Sequence, residues 1–194
     1  MQDFIFYIKL GLNHVLDFAA YDHILFLVAL ALPFGFKSWK KVVLLATIFT
    51  TAHCISLFLS VYGILVMDAA WIEFLIPVTI LGTALFNLIY VRSTLENKNL
   101  GLHIFATAFF GLIHGFGFSN YFKLLMAEEE EKLSALLGFA TGIEISQVSI
   151  VLSILGLSSV FIAVAKLKPS LITIVGSILI VIITIPLLID TFPK

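Results

Sequence analysis

The chain has 194 residues, of which 61% are hydrophobic and only 12% charged, with a formal net charge of −1; an average soluble domain is roughly 45–50% apolar and about 25% charged. Water is the wrong solvent for such a composition, and the lack of a basic stripe or RNA-binding motif excludes nucleic acid as a partner. Cys54 is the only cysteine, which excludes an intramolecular disulfide and a thiolate cage, so a bound metal must be held mainly by nitrogen and oxygen.

Met1-Gln2-Asp3 lacks the positive region that begins a secretory signal, so the start is expected to be retained. From Asp3 to Tyr21, Phe4, Ile5, Phe6, Ile8, Leu12, Val15 and Leu16 alternate with Lys9, Asn13, His14 and Asp17. That pattern predicts an interfacial amphipathic helix leading into the membrane. Span 1 is predicted over Asp22 to Phe36, and span 2 over Val42 to Leu65 after the Lys37-Ser38-Trp39-Lys40-Lys41 loop. Span 3 follows at Ala70 to Val91 and span 4 at Leu100 to Met126, with Glu128 to Glu131 as a solvated loop. Span 5, Leu133 to Leu167, is longer than a bilayer needs, and a bend is expected near Gly156. Span 6 runs from Leu171 to Ile189, after Pro169. Most of these runs can cross a hydrocarbon core of about 30 Å. The fold class read from them is all-α: a polytopic transmembrane bundle of about six spans plus the interfacial helix, in a single integral membrane domain over residues 1–194. Trp39 and Trp71 read as interface anchors, and Asn87 as an interhelical hydrogen-bond residue.

Loop charge sets the orientation, because Lys and Arg are retained on the cytoplasmic side. Lys37, Lys40, Lys41, Arg92, Lys98, Lys166 and Lys168 fall on one side, against Lys9, Lys123, Lys132 and Lys194 on the other. Both termini are therefore predicted outside a cell (inner or plasma) membrane.

Ionisable groups within spans persist where something offsets a cost of roughly 2.5–3.5 kcal/mol each at the helix centre. Asp22 and His23 open span 1, preceded by His14 and Asp17; His53 lies in span 2, Glu73 opens span 3, His114 lies in span 4 and Glu144 in span 5. At a rise of about 1.5 Å per residue, His53 is roughly 17 Å from the inner end of its span, His114 roughly 21 Å, and Glu144 roughly 17 Å from the outer end. These depths are compatible. Thr50, His53 and Ser56 share a helix face, as do Thr141, Glu144 and Gln147, and such stripes point inward. Gly111, Gly115 and Gly117 around His114 predict either close helix approach or a local break in span 4. The chemistry that fits is a divalent transition-metal cation (Ni, Co, Zn or Cu) held by neutral imidazole and carboxylate. Asp22, His23, His53, His114 and Glu144 are the expected ligands, with Asp17, Glu73 and Gln147 as approach or supporting groups.

The chain resembles the HupE/UreJ family of hydrogenase and urease accessory membrane proteins. The likeness is carried by His14-Val15-Leu16, Tyr21-Asp22-His23-Ile24-Leu25-Phe26, Thr51-Ala52-His53-Cys54-Ile55-Ser56-Leu57, Phe110 to Phe118, and Gly142-Ile143-Glu144-Ile145-Ser146-Gln147. The resemblance implies six spans, nickel or cobalt uptake, and metal-associated residues at His14, Asp22, His23, His53, His114 and Glu144. A secondary metal-cation transporter is the leading expectation. An intramembrane metal-dependent enzyme of hydrolase type and a metal-binding accessory subunit are the alternatives. No phosphate-binding Gly-rich loop, His-Glu-x-x-His or Gly-x-Ser-x-Gly sequence is present, so neither ATP hydrolysis nor a familiar hydrolase is supported. The expected partners are the lipid bilayer and the cation, with homo-oligomerisation left open.

Overall fold

The structure is a computed structural model that describes residues 2–17, 21–91, 100–127, 129 and 131–193. The expected loop residues Arg92 and Lys98, the acids Glu128 and Glu130, and Lys194 lie outside the described residues. Among the described residues the fold is all-helical: α1 (Gln2–Leu16), α2 (Asp22–Ala31), a short 3-10 turn (Phe36–Ser38), α3 (Trp39–Val61), α4 (Ala69–Tyr90), α5 (Leu100–Leu125), α6 (Lys132–Val164) and α7 (Pro169–Asp190). The last five α-helices are long and apolar enough to cross a membrane, whereas α1 and α2 are shorter apolar helices. This is a multi-pass membrane protein.

Local sequence explains the helix ends. The Asp68 side chain accepts a hydrogen bond from the Ala70 backbone at the start of α4, satisfying an amide that the helix cannot. Gly63, just past α3, adopts φ 68°, a left-handed conformation that ends helices cheaply in glycine. Pro169 opens α7, where its missing N–H costs nothing. The helix α6 continues unbroken through Gly156, where a bend was expected, and its 33 residues span about 50 Å.

The N-terminal helix packs against the bundle. It runs parallel to α6: Gly138 meets Phe4 and Tyr7, Gly142 meets Ile8 and Leu12, and Ser146 donates to the Leu12 carbonyl at 3.3 Å. Beyond the break, α2 continues in the same direction. Near its far end the Asn87 amide donates to the Ala29 carbonyl at 2.7 Å, and the Thr173 hydroxyl to the Leu32 carbonyl at 3.1 Å. α1 and α2 thus follow one another in the same direction, α1 beside α6 and α2 beside α4 and α7. The carbonyls at the far end of α2 are satisfied by side chains of α4 and α7.

Elsewhere the glycines serve close approach. α3 and α5 run parallel, with Gly111 against the Phe49 backbone and Ala52, and Gly115 against the His53 carbonyl and Ser56 hydroxyl. The helix α5 is continuous, so of the two expectations for these glycines, close approach is the one observed. α4 and α7 form the remaining large pairing, joined at one end by a Phe74–Phe192 ring contact. Both described chain ends, the α3–α4 turn and the α5–α6 turn share one face of the bundle, called here the terminal face.

Candidate metal centre

The break between α1 and α2 carries the site. His14 lies in the last turn of α1 and Asp22 and His23 in the first turn of α2. α3 brings His53 and α5 brings His114, each about the middle of its helix. His23, His53 and His114 are buried, with exposures of 4%, 0% and 1%. Imidazole nitrogens of His14, His23 and His53 lie within 4.8 Å of one another, a spacing that can hold a metal ion. His114 adjoins this trio, its ring centroid 5.4 Å from that of His23.

Hydrogen bonds orient the rings. His114 Nδ1 lies 2.9 Å from the Phe110 carbonyl; a carbonyl only accepts, so Nδ1 carries the proton and Nε2 of the neutral ring presents a lone pair. His23 Nδ1 lies 3.2 Å from Asp22 Oδ1, which also accepts from the His23 backbone N–H at 2.9 Å. This is the carboxylate–imidazole arrangement that fixes metal-binding histidines and raises their basicity. The Nε2 atoms of His14, His23, His53 and His114, and Nδ1 of His53, are buried with no hydrogen-bond partner among the described residues. Buried polar atoms are ordinarily paired, because desolvation otherwise goes uncompensated. Several orphaned lone-pair nitrogens converging on one region fit a borderline-soft divalent cation. The Asp22 carboxylate and the negative C-terminal end of α1 add favourable charge.

The remaining residues expected from sequence are placed differently. Glu144 is not among the converging ligand atoms. Its Oε1 accepts from the Thr47 hydroxyl and its Oε2 from the Thr50 hydroxyl, both at 2.6 Å, in the seam between α3 and α6. Gln147 is fully buried in the same seam, its Oε1 3.2 Å from Thr50 Oγ1. Thr141, expected to face inward with them, is exposed and donates to the Leu137 carbonyl. Asp17 is exposed just beyond α1. Glu73 is exposed on α4 and lines, with Tyr21, Asp22, Pro77, Leu187 and Thr191, a pocket of about 210 Å³.

An aromatic shell, whose members are not among the site residues expected from sequence, encloses the imidazoles. Phe118 lies 4.0 Å from His14, Phe49 5.1 Å from His114, Phe26 5.6 Å from His114 and Phe139 5.5 Å from His14, measured between ring centroids. A usable signal was spacing: Phe26 follows His23 by three residues, Phe49 precedes His53 by four and Phe118 follows His114 by four, so each shares a helix face with an imidazole. Phe26 and Phe110 also wall a second cavity of about 280 Å³, which reaches Asn87 and His103 towards the opposite face.

A family model described as HupE / UreJ protein matches residues 1–190, and the chain belongs to that family. No curated protein and no solved structure is significantly similar to it.

Proposed function

We propose that this HupE/UreJ protein is a carrier for a divalent transition-metal cation, which it holds as substrate at the α1–α2 break. His14, His23 and His53 are the ligands in this reading, His114 is a fourth imidazole within reach, and Asp22 orients His23 and offsets charge. The observation that carries it is the set of buried imidazole nitrogens on separate helices that have no hydrogen-bond partner among the described residues. A discontinuous helix at mid-membrane is the usual setting of a transported ion, because helix ends free polar groups there.

Two cavities support carriage over storage. The pocket lined by Glu73 shares Asp22 with the site and opens on the terminal side, and the cavity behind Phe26 lies on the other. The excess of lysine on the opposite face, including Lys37, Lys40, Lys41, Lys166 and Lys168, favours the terminal face as the outside. Glu73 and Asp22 would then gather cations from the exterior, and Phe26 with Phe110 would close the inward path. Three imidazoles also form the donor set of hydrolytic zinc sites, so a metal-dependent hydrolase is the second reading.

Calorimetric titration of the purified protein with Ni²⁺, Co²⁺ and Zn²⁺, followed by uptake into liposomes containing a metal-sensing dye, tests both. Saturable binding and uptake are expected, each lost in His23→Ala and His53→Ala. Full binding by both variants would reject the site. Binding without uptake would reject the carrier and leave the hydrolase or accessory role.

A further inference from the structure

Two charged side chains outside the metal centre stand on the flanks of the bundle, where hydrocarbon surrounds it. Glu144 is half-buried in the seam between α3 and α6, level with Thr47 and Thr50 near the middle of α3. Lys9 is exposed in the middle of α1, whereas the other described lysines lie within a turn of a helix end or between helices. No ion pair joins Lys9 or Glu144 to another described residue. The Thr47 and Thr50 hydroxyls each donate to one oxygen of Glu144 at 2.6 Å, as to an ionised carboxylate, but they bring no opposite charge. A charge within a span ordinarily faces the bundle interior, water or a counter-charge. A lysine can lift its ammonium towards the headgroups; a carboxylate pinned to α3 cannot follow.

The packing of α1 on α6 fixes where each charge points. Gly11 faces Gly142, with Ile8 and Leu12 of α1 against the latter and Phe139 and Ile143 of α6 against the former. Lys9 and Glu144 each stand two residues from the facing glycine, roughly 200° around its helix. Lys9 therefore points away from α6 and Glu144 away from α1, on opposite flanks of the pair. Their depths nevertheless agree. Ile8, next to Lys9, lies against Gly142, two residues from Glu144, so the two charges differ in depth by about one turn, roughly 5 Å. A lysine side chain spans that gap.

The surroundings of the two charges are also complementary. Ile5 and Phe6, both exposed, lie about one turn from Lys9 towards the terminal face. A groove of about 350 Å³ lined by Thr51, Cys54, Phe58, Leu136 and Ala140 lies one to two turns from Glu144 towards the same face. Its small residues Thr51 and Ala140 permit close approach of another helix.

We propose that the chain self-associates head to tail in the membrane, the Lys9 ammonium of one copy pairing with the Glu144 carboxylate of the next while Ile5 and Phe6 seat in the α3–α6 groove. Copies inserted in one membrane share an orientation, so the depths of the two charges match between them. The two surfaces differ, so the interface is heterologous and each copy keeps one half free until a ring closes. Pairing of like surfaces would set carboxylate against carboxylate or ammonium against ammonium. The imidazole site, inside the bundle, takes no part.

Counting copies by single-molecule photobleaching of C-terminally labelled protein in liposomes, at one low protein-to-lipid ratio, tests this. Wild type is expected in clusters of two or more. Lys9→Met and Glu144→Gln should each associate about tenfold more weakly. A mixture of these two variants retains one sound interface, so pairs should return and stop at two copies. The Lys9→Glu/Glu144→Lys variant should regain clusters that each single reversal lacks, with circular dichroism to check folding. Single copies of wild type, neutral variants that cluster like wild type, or a folded double reversal that stays single each overturn the proposal. A cross-linking experiment leaves both charges untouched. Oxidation of Ile5→Cys should join it to the native Cys54 of the next copy, in a product missing from Ile5→Cys/Cys54→Ser. Wild-type dimers linked Cys54 to Cys54 would instead give the groove to a symmetric contact, and absence of any linked product would leave it to lipid; either result overturns the head-to-tail interface.

Discussion

An imidazole can serve a cation only while one nitrogen is unprotonated and aimed at it, so what holds the other nitrogen matters. In His114 the Phe110 carbonyl does this, and in His23 the Asp22 carboxylate. The two partners differ in charge: the carbonyl only orients, whereas the carboxylate also raises the donor strength of the ring. Asp22→Asn is therefore expected to weaken metal binding roughly 10–100-fold while leaving the fold intact. Calorimetry against wild type, with circular dichroism to check folding, measures it; unchanged affinity would remove Asp22 from the site. Glu144 shows the limit of arithmetic on depth. Its height along α6 was legible from the sequence, but height carries no azimuth, and the threonines of α3 claim its carboxylate in a different seam.

At the scale of the element, two parallel helix pairs are held together through glycine. A Cβ at Gly115 would collide with the Ser56 hydroxyl and the His53 carbonyl, and one at Gly142 with the Ile8 carbonyl, whereas one at Gly156 meets nothing. Overpacking of this kind costs about 1–3 kcal/mol; alanine in an open helix interior gains about 0.5–1 kcal/mol over glycine. Gly115→Ala and Gly142→Ala should therefore lower the thermal midpoint, and Gly156→Ala should hold or raise it. A scan showing all three alike would contradict the packing. The expected spans match the long helices to within a few residues at most ends, since hydropathy and length are local properties. The division between α1 and α2 was legible too, since a separate N-terminal helix was expected up to Tyr21 and the next element from Asp22, where α2 begins. What was not legible is how the two helices pack, through Ser146 on α1 and Asn87 and Thr173 on the far end of α2, all from distant helices.

For the whole molecule, the direction of the proposed carriage depends on which face is outside, and the lysine-rich turns lead to the expectation that the opposite face is cytoplasmic. In a Cys54→Ser background, Ile64→Cys lies on the terminal face and Phe36→Cys on the other, and both positions are exposed. A membrane-impermeant maleimide added to intact cells should label the first and spare the second. The reverse pattern would invert the proposed path, placing Glu73 and Asp22 at the exit. The arrangement of cavities about the imidazoles gives this test its weight, because an acidic pocket and an aromatic-walled cavity are not interchangeable as the first station of a hydrated cation.

The sequence by itself determined the solvent, the helical class and the depth of each buried polar residue, because hydropathy and rise per residue are written into consecutive positions. Which of those residues meet was decided only by tertiary structure. Rotation of each helix about its axis is set by how glycines and phenylalanines from distant segments interlock, and it is this rotation that gathers the imidazoles together and places Glu144 in a seam with threonines.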